Sequence, residues 1–101
     1  MKLYQVHCGF YDLDLCDGVY ESHVNFFVVA ESFEDARVKA REIPELKAKK
    51  MHVDGIVEIQ AVQGAKIVLE KSAELQGRTI LISHRHRELA PKSAPATLPT
   101  L

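Results

Sequence analysis

Several features that mark particular protein classes are missing from this sequence. It contains no tryptophan and only two cysteines among 101 residues, too few for the disulfide framework of a small secreted protein. The N-terminal residues lack the apolar core of a secretory signal peptide, and no apolar run approaches the length of a membrane span. We therefore expect a cytoplasmic protein with no membrane partner, in which Cys8 and Cys16 are reduced.

Catalytic and cofactor motifs are also lacking. The sequence has no glycine-rich phosphate loop, and the acidic segment 12–18 does not place its side chains at the ligand positions of a calcium-binding loop. His7 and Cys8 are neighbours on an expected strand, so they face opposite ways and do not predict a zinc site. The basic residues after Pro44 are not interleaved with aromatic ones, because the last aromatic residue is Phe33. Nucleic acid is therefore not an expected partner, and we assign no catalytic residue, metal ligand or cofactor.

The clearest structural signal is the stretch 23–43, in which a strand runs directly into a helix. Residues 24–30 are mostly β-branched or aromatic, which favours a packed strand. Ser32 is a good N-cap residue, and Asp35 follows at the spacing of a capping box. Apolar residues then recur at helical spacing until Pro44, which predicts the end of the helix.

Alternating polar and apolar residues predict further strands on both sides of this unit. A long hairpin is expected to join the first strand to the second. Gly55 is a candidate for a β-bulge that shifts the alternation of the third strand, and Gln63-Gly64 is a turn signal before the next strand. These additional strands are predicted over residues 2–10, 52–62 and 65–71, and a fifth strand could cover residues 79–86.

The order of elements is therefore β-β-α-β-β, with a possible further strand. Two hairpins that flank one helix predict an α+β fold, a two-layer sandwich in which a mostly antiparallel sheet carries the helix on one face. We expect a single domain over residues 1–90 and a flexible proline-rich tail over residues 91–101.

The two faces of this predicted sheet differ in composition. The face that points away from the helix mixes polar with apolar residues, and one helix cannot shield both faces of a sheet. That face is either partly hydrated or covered by another subunit, and we expect a homodimer. The core toward the helix is predicted to contain Val6, Phe26, Val28, Phe33, Ala40, Val57 and Ile59.

Three motifs resemble the domain of unknown function 1543 family. They are the E-x-H of Glu21 and His23, the V-V-A-E-S that joins the second strand to the helix, and the H-V-D of His52 and Asp54. The resemblance covers roughly residues 1–70. It implies no activity, substrate, cofactor or catalytic residue. Members of the family often carry the unit twice in tandem, and this chain carries it once. We therefore expect a homodimer, in which two chains can reproduce the tandem arrangement through a two-fold interface.

Two histidines and two acids form the candidate ligand-binding site. His23 begins the second strand and His52 begins the third, so they lie at the same end of the sheet if these strands run parallel. Asp54 is two residues from His52 and shares its side of the strand, and Glu21 is nearby. A carboxylate beside an imidazole fixes its tautomer and raises its pKa, as a general base or a metal-binding histidine requires. The alternative is a structural clasp, a hydrogen-bonded pair that ties the chain to the edge of the strand.

Three functional hypotheses follow. The first is a small, non-catalytic interaction module that acts as a homodimer. The second is a protein or enzyme that binds a small molecule or a metal at the polar site around His23, His52, Asp54 and Glu21. The third is a nucleic-acid accessory protein. The lack of a nucleophile, a phosphate loop and a metal framework favours the first, and the sequence identifies no particular small molecule.

Overall fold

The computed structural model of the protein describes residues 1–83. The chain divides into two compact units, Met1–Glu70 and Lys71–Leu101. The described part of the second unit contains one short 3-10 helix, Ala73–Leu75. The predicted domain end at residue 90 and the predicted tail 91–101 lie outside the described residues, so both stay predictions.

The first unit has the α+β architecture that the sequence predicts, with a mostly antiparallel sheet and a helix packed on it. The main sheet consists of β1 (Lys2–Tyr11), β2 (Glu21–Ala30) and β3 (His52–Ile59). Between β2 and β3 the chain forms α1 (Phe33–Arg41) and the short α2 (Pro44–Ala48). A separate hairpin is formed by β4 (Ala61–Val62) and β5 (Ala65–Lys66).

The first strand lies in the middle of the main sheet, in the order β2-β1-β3. It pairs antiparallel with β2 along its whole length, as the predicted long hairpin requires, and antiparallel with β3 on its other side. Because both outer strands run antiparallel to β1, they run parallel to each other without being neighbours. Their first residues therefore lie at the same end of the sheet.

β3 contains the β-bulge predicted at Gly55, and the inserted residue is Asp54. His7 pairs with Gly55 and Cys8 pairs with Val53, which leaves Asp54 without a partner of its own. A residue inserted into one strand shifts the alternation of every side chain beyond it.

This shift changes which residues of β3 lie in the core. Ile56 pairs with the fully buried Val6 and packs against the core, whereas Val57 pairs with Gln5 and is 58 % exposed. The prediction that Val57 is a core residue is therefore wrong. The prediction for Ile59 is wrong for the same reason, because Ile59 pairs with Leu3 and shares the face of Val57.

The core between the sheet and the helices is small. The small side chains of Ala36 and Ala40 let α1 lie close to β1, and Phe26 and Val28 pack against the same core, as predicted. Phe33 lies at its margin, 51 % exposed, with its ring edge-on to Tyr4 at 5.2 Å between centroids. The most deeply buried residues are Tyr4, Val6, Cys8, Ala30, Ala36, Ala40 and Leu46.

The start of α1 follows the predicted capping pattern. Ser32 Oγ accepts a hydrogen bond of 3.1 Å from the amide of Asp35, and Asp35 Oδ2 accepts one of 3.0 Å from the amide of Glu31. Lys39 Nζ lies 3.3 Å from the same carboxylate oxygen. The hydrogen bond from Glu31 is the main cause that lowers the pKa of Asp35.

The chain after β3 differs from expectation. The return strand is confined to Ala65–Lys66 instead of residues 65–71, and it pairs within its own hairpin. Residues 79–83 form no strand, and the rest of the possible fifth strand, residues 84–86, lies outside the described residues. None of the helices in residues 1–83 is long and apolar enough to cross a membrane.

Candidate functional site

The face of the main sheet that points away from α1, here called the open face, has two contrasting ends. Its polar end lies where β2 and β3 begin and β1 ends, and it carries the four predicted site residues. At the apolar end Phe27, Val29 and Val57 are 41, 40 and 58 % exposed. The register places Leu3 and Ile59 beside them.

Gly9 is the centre of the polar end. It pairs with His23 on β2 and with His52 on β3, so the two histidines flank it across the sheet. A Cβ atom at this position would lie only 2.7 Å from Asp54 Oδ2 and from His52 Nε2, and 3.0 Å from Glu21 Cδ. The missing side chain of Gly9 therefore provides the space into which the surrounding side chains converge.

The side chains of Glu21, His23, His52 and Asp54 form a closed arrangement, here called the His–acid ring. His23 Nε2 lies 2.6 Å from Glu21 Oε1 and 3.3 Å from Asp54 Oδ2. His52 Nε2 lies 3.1 Å from Glu21 Oε2 and 3.2 Å from Asp54 Oδ1. Each carboxylate thus bridges both imidazoles, and both imidazoles present the same nitrogen to the interior.

The ring concentrates negative charge and hydrogen-bond acceptors. The two carboxylates carry two negative charges, and a neutral imidazole can donate from only one of its nitrogens. Each Nε2 atom nevertheless faces two carboxylate oxygens. Two protonated imidazoles or one divalent cation would balance this charge. The ring is open to water, since its side chains are between 29 and 46 % exposed.

Neighbouring residues of the open face support two members of the ring. The ring of His7 stacks on that of His23, with 4.8 Å between centroids and an angle of 6°. His7 Nδ1 lies at 2.7 Å from Asn25 Oδ1, a hydrogen bond that fixes the plane of the His7 ring. Tyr11 lies opposite Glu21, whose negative charge and hydrogen bond raise the pKa of the Tyr11 hydroxyl.

The structure brings all four predicted site residues together. Their contact follows from the parallel direction of β2 and β3, as the sequence analysis expects, and from the bulge, which turns Asp54 toward Gly9. Sequence reasoning missed Gly9, although a glycine inside a strand is a known sign of close approach. It considered His7 only for a zinc site with cysteine and rejected that site, whereas in the structure His7 offers a ligand atom within 4.8 Å of those of His23 and Asp54.

The two cysteines lie outside the ring. Cys8 is buried in the core and Cys16 is exposed in the loop between β1 and β2, and both are free thiols. Burial raises the pKa of Cys8, and the charge of Asp54 adds to the effect. A buried thiol with a raised pKa is a packing residue and a poor nucleophile.

A shallow groove of about 260 Å³ lies beside the start of α1. It is lined by residues of α1 and β3: Phe33, Glu34, Arg37, Val53, Asp54, Gly55 and Ile56. Asp54 is therefore shared between the groove and the ring, whereas neither histidine of the ring lines the groove.

The family model described as Domain of Unknown Function (DUF1543) matches residues 18–69. The matched segment begins after β1, extends through β5 and contains all four residues of the ring. Neither the curated proteins nor the solved structures contain a significant match to the chain.

Proposed function

Because the chain belongs to the DUF1543 family, whose description assigns no activity, we propose a function from the geometry of its site. The protein is a small binding module that holds a divalent transition-metal ion of the zinc class in the His–acid ring. The ligands are His23, His52, Glu21 and Asp54.

The distances around the ring carry this proposal. Zinc binds nitrogen and oxygen at about 2.0–2.1 Å, so neighbouring ligand atoms of a tetrahedral site lie about 3.3 Å apart. Three of the four nitrogen–oxygen distances in the ring are 3.1, 3.2 and 3.3 Å. Only the 2.6 Å between His23 and Glu21 is shorter. Glu21, His52 and Asp54 each offer a ligand atom within 4.8 Å of the others. His23 Nε2 contacts both carboxylates and would complete the set after movement of its side chain.

The chemistry of the donor set favours the same class of ion. Imidazole nitrogen suits zinc, copper, nickel and iron, whereas calcium and magnesium are usually bound by oxygen alone. The two carboxylates would neutralise the charge of a divalent ion. Half-exposed ligands on an open sheet also give the ion a path from solvent.

Zinc titration followed by thermal unfolding tests this function. Zinc should raise the melting temperature of the wild-type protein, since an ion that binds only the folded state stabilises it. His52→Ala should abolish the rise. Under the structural-clasp alternative, His52→Ala instead lowers stability and zinc changes nothing in either protein.

Two glycine variants test zinc binding by the ring without removing any of its four ligands. In Gly9→Ala the new methyl group meets Asp54 and His52 at 2.7 Å, so the ring cannot close on an ion although every ligand is present. Gly55→Ala is the matched control, because a Cβ there meets nothing within 4 Å. A zinc response that survives in Gly9→Ala would contradict the proposal.

A second proposal concerns assembly. We propose that the module is non-catalytic, lies in the cytoplasm and forms a homodimer. The apolar end of the open face supports the dimer, because Phe27, Val29 and Val57 are exposed on a face that α1 does not cover. The free thiols of Cys8 and Cys16 fit a reducing compartment. Sedimentation that shows a monomer at high micromolar concentration would contradict the dimer.

A further inference from the structure

We propose that the polar end of the open face binds two ions of the zinc class, with the carboxylate of Asp54 as a bridge between them. The second ion is held by His7, His23 and Asp54. This inference rests on the zinc-binding function proposed above and adds a second site, with His7 as a new ligand, to the first.

The potential metal ligands at this end of the face fall into two groups of three within the described residues. Glu21, His52 and Asp54 form one group, and His7, His23 and Asp54 form the other. Within each group the ligand atoms lie within 4.8 Å of one another, and Asp54 belongs to both. Each group combines imidazole with carboxylate, a donor set that suits zinc.

The carboxylate of Asp54 directs one oxygen toward each group. Its Oδ1 lies 3.2 Å from His52 Nε2, and its Oδ2 lies 3.3 Å from His23 Nε2. A carboxylate in this position can give one oxygen to each of two ions. Pairs of ions about 3.5–4 Å apart are a recurrent arrangement in metalloproteins, so the shared residue does not exclude a second ion.

The hydrogen bond between His7 and Asn25 prepares His7 as a ligand. The amide oxygen of Asn25 can only accept, so His7 Nδ1 donates to it over 2.7 Å. A neutral imidazole that donates from Nδ1 keeps its lone pair on Nε2, which is then free to bind an ion. Metal-binding histidines are usually fixed in this way, by donation from the nitrogen that does not bind the metal.

The positions of the two imidazoles allow both to reach one ion. The rings of His7 and His23 are parallel within 6°, with 4.8 Å between centroids, and both side chains are exposed. Ligand atoms at most 4.8 Å apart must close to the about 3.3 Å of a tetrahedral zinc site. Exposed side chains can make this change by rotation, without movement of the strands.

Charge determines the order in which the two ions bind. One divalent ion neutralises the carboxylates of Glu21 and Asp54 and uses His23 as its fourth ligand. A second ion takes His23 from the first, whose open position water can fill. The centre then carries a net charge of +2, because two divalent ions face two carboxylates. The second ion should therefore bind more weakly than the first.

Equilibrium dialysis of the full-length protein against zinc, followed by metal analysis, counts the bound ions. The wild type should bind a second ion as free zinc rises. His7→Phe keeps a ring that can stack on His23 but has no ligand nitrogen, so it should bind one ion fewer and keep the affinity for the first. Binding of the first ion also reports that the variant is folded. Gln5→Ala is the matched control, because Gln5 lies two residues from His7 on the same face of β1, and it should bind both ions.

Two further variants test the preparation of His7 and the bridge. Asn25→Ala should weaken binding of the second ion at least about tenfold and leave the first unchanged, because it removes the hydrogen bond that fixes the His7 ring. Asp54→Ala should weaken binding of both ions. If Asp54→Ala weakens only one of the two, the ions do not share a carboxylate and the bridge is overturned.

The outcomes separate this inference from the function proposed above. A wild-type protein that binds no zinc overturns both. A wild-type protein that binds a single ion at saturating zinc keeps the proposed function and overturns the second site alone. A second ion that His7→Phe retains is bound elsewhere in the chain, and it also overturns the second site.

Discussion

The two faces of the central strand β1 show how differently packing and binding use the same backbone. On the helix side, Tyr4, Val6 and Cys8 are fully buried and form the centre of the core. On the open face, His7 stacks on a neighbour and Gly9 leaves room for the His–acid ring. The first face requires only apolar side chains of suitable size, whereas the second depends on particular atoms at particular distances.

The largest expected effect concerns the open face and uses Gly9→Ala. The zinc affinity of the variant should fall by at least about a hundredfold, because one methyl group occupies the space between Asp54 and His52. Its folding should be affected far less than its zinc affinity. Isothermal titration calorimetry with zinc checks this, with Gly55→Ala as the control that keeps wild-type affinity.

A pair of valine variants compares the two faces directly. Val6→Ala should lower the free energy of unfolding by about 2–3 kcal/mol, because it leaves a cavity at a fully buried site. Val57→Ala makes the same chemical change at a residue that is 58 % exposed. In the monomer it should change stability by less than about 0.5 kcal/mol. Equal losses in urea unfolding of dilute protein would contradict the assignment of the two faces.

The loss of stability expected for truncating Phe33 lies between those of the two valine variants. Full burial of its ring would predict a loss of about 3–5 kcal/mol in Phe33→Ala. Since the residue is 51 % exposed and contacts Tyr4 by its edge, we expect about 1–2 kcal/mol. Phe33→Leu is a useful companion, because it keeps apolar contact and removes only the aromatic edge. Wild-type stability in Phe33→Ala would show that the start of α1 is not packed on β1.

A smaller effect of opposite sign is expected for Tyr4→Phe. The hydroxyl of Tyr4 is buried and has no hydrogen-bond partner within the described residues. Removing an unsatisfied buried hydroxyl relieves its desolvation cost, so the variant should be more stable by about 1 kcal/mol. A clear loss of stability in chemical denaturation would indicate that the hydroxyl has a partner, such as a bound water.

The smallest effect depends on pH and concerns Asp35. Its pKa is lowered in the folded protein, first by the hydrogen bond from the Glu31 amide and also by Lys39. A lowered carboxyl pKa contributes stability above the ordinary value of 3.8, and this contribution is lost as the pH falls through the folded value. The stability difference between wild type and Asp35→Asn should therefore shrink from pH 6 to pH 3. Ser32→Ala removes an uncharged cap and should cost the same at both pH values.

The helix and the faces of β1 and β2 could be predicted from sequence because they depend on local patterns. Ser32 and Asp35 specify the start of α1 within one turn of chain, alternation specifies β1, and β-branched and aromatic residues specify β2. The prediction for Val57 failed because the bulge inserts Asp54 and reverses the alternation beyond it. Gly55 indicates a bulge in this part of β3, but which residue is inserted depends on pairing with β1, which local composition does not determine.

The candidate site was predictable in its members and not in its geometry. His23, His52, Asp54 and Glu21 stand at the starts of two strands, and the direction of those strands places them at one end of the sheet. Their distances depend on the registers of β2 and β3 against β1, and on the missing side chain of Gly9 between them. Such distances come from pairing between strands that are far apart in sequence.

The central position of β1 also has a consequence for the order of folding. β1 pairs with β2 across a short connection, with Tyr11 opposite Glu21, whereas its pairing with β3 joins Gly9 to His52, more than forty positions away. Closing the longer loop costs more entropy, so we expect the hairpin to form first and β3 to dock late. Glu21 and His23 are positioned when the hairpin forms, and His52 and Asp54 are positioned when β3 docks. An ion bound in the ring would then slow the unfolding step in which β3 separates from β1, and it would leave the rate of hairpin formation unchanged.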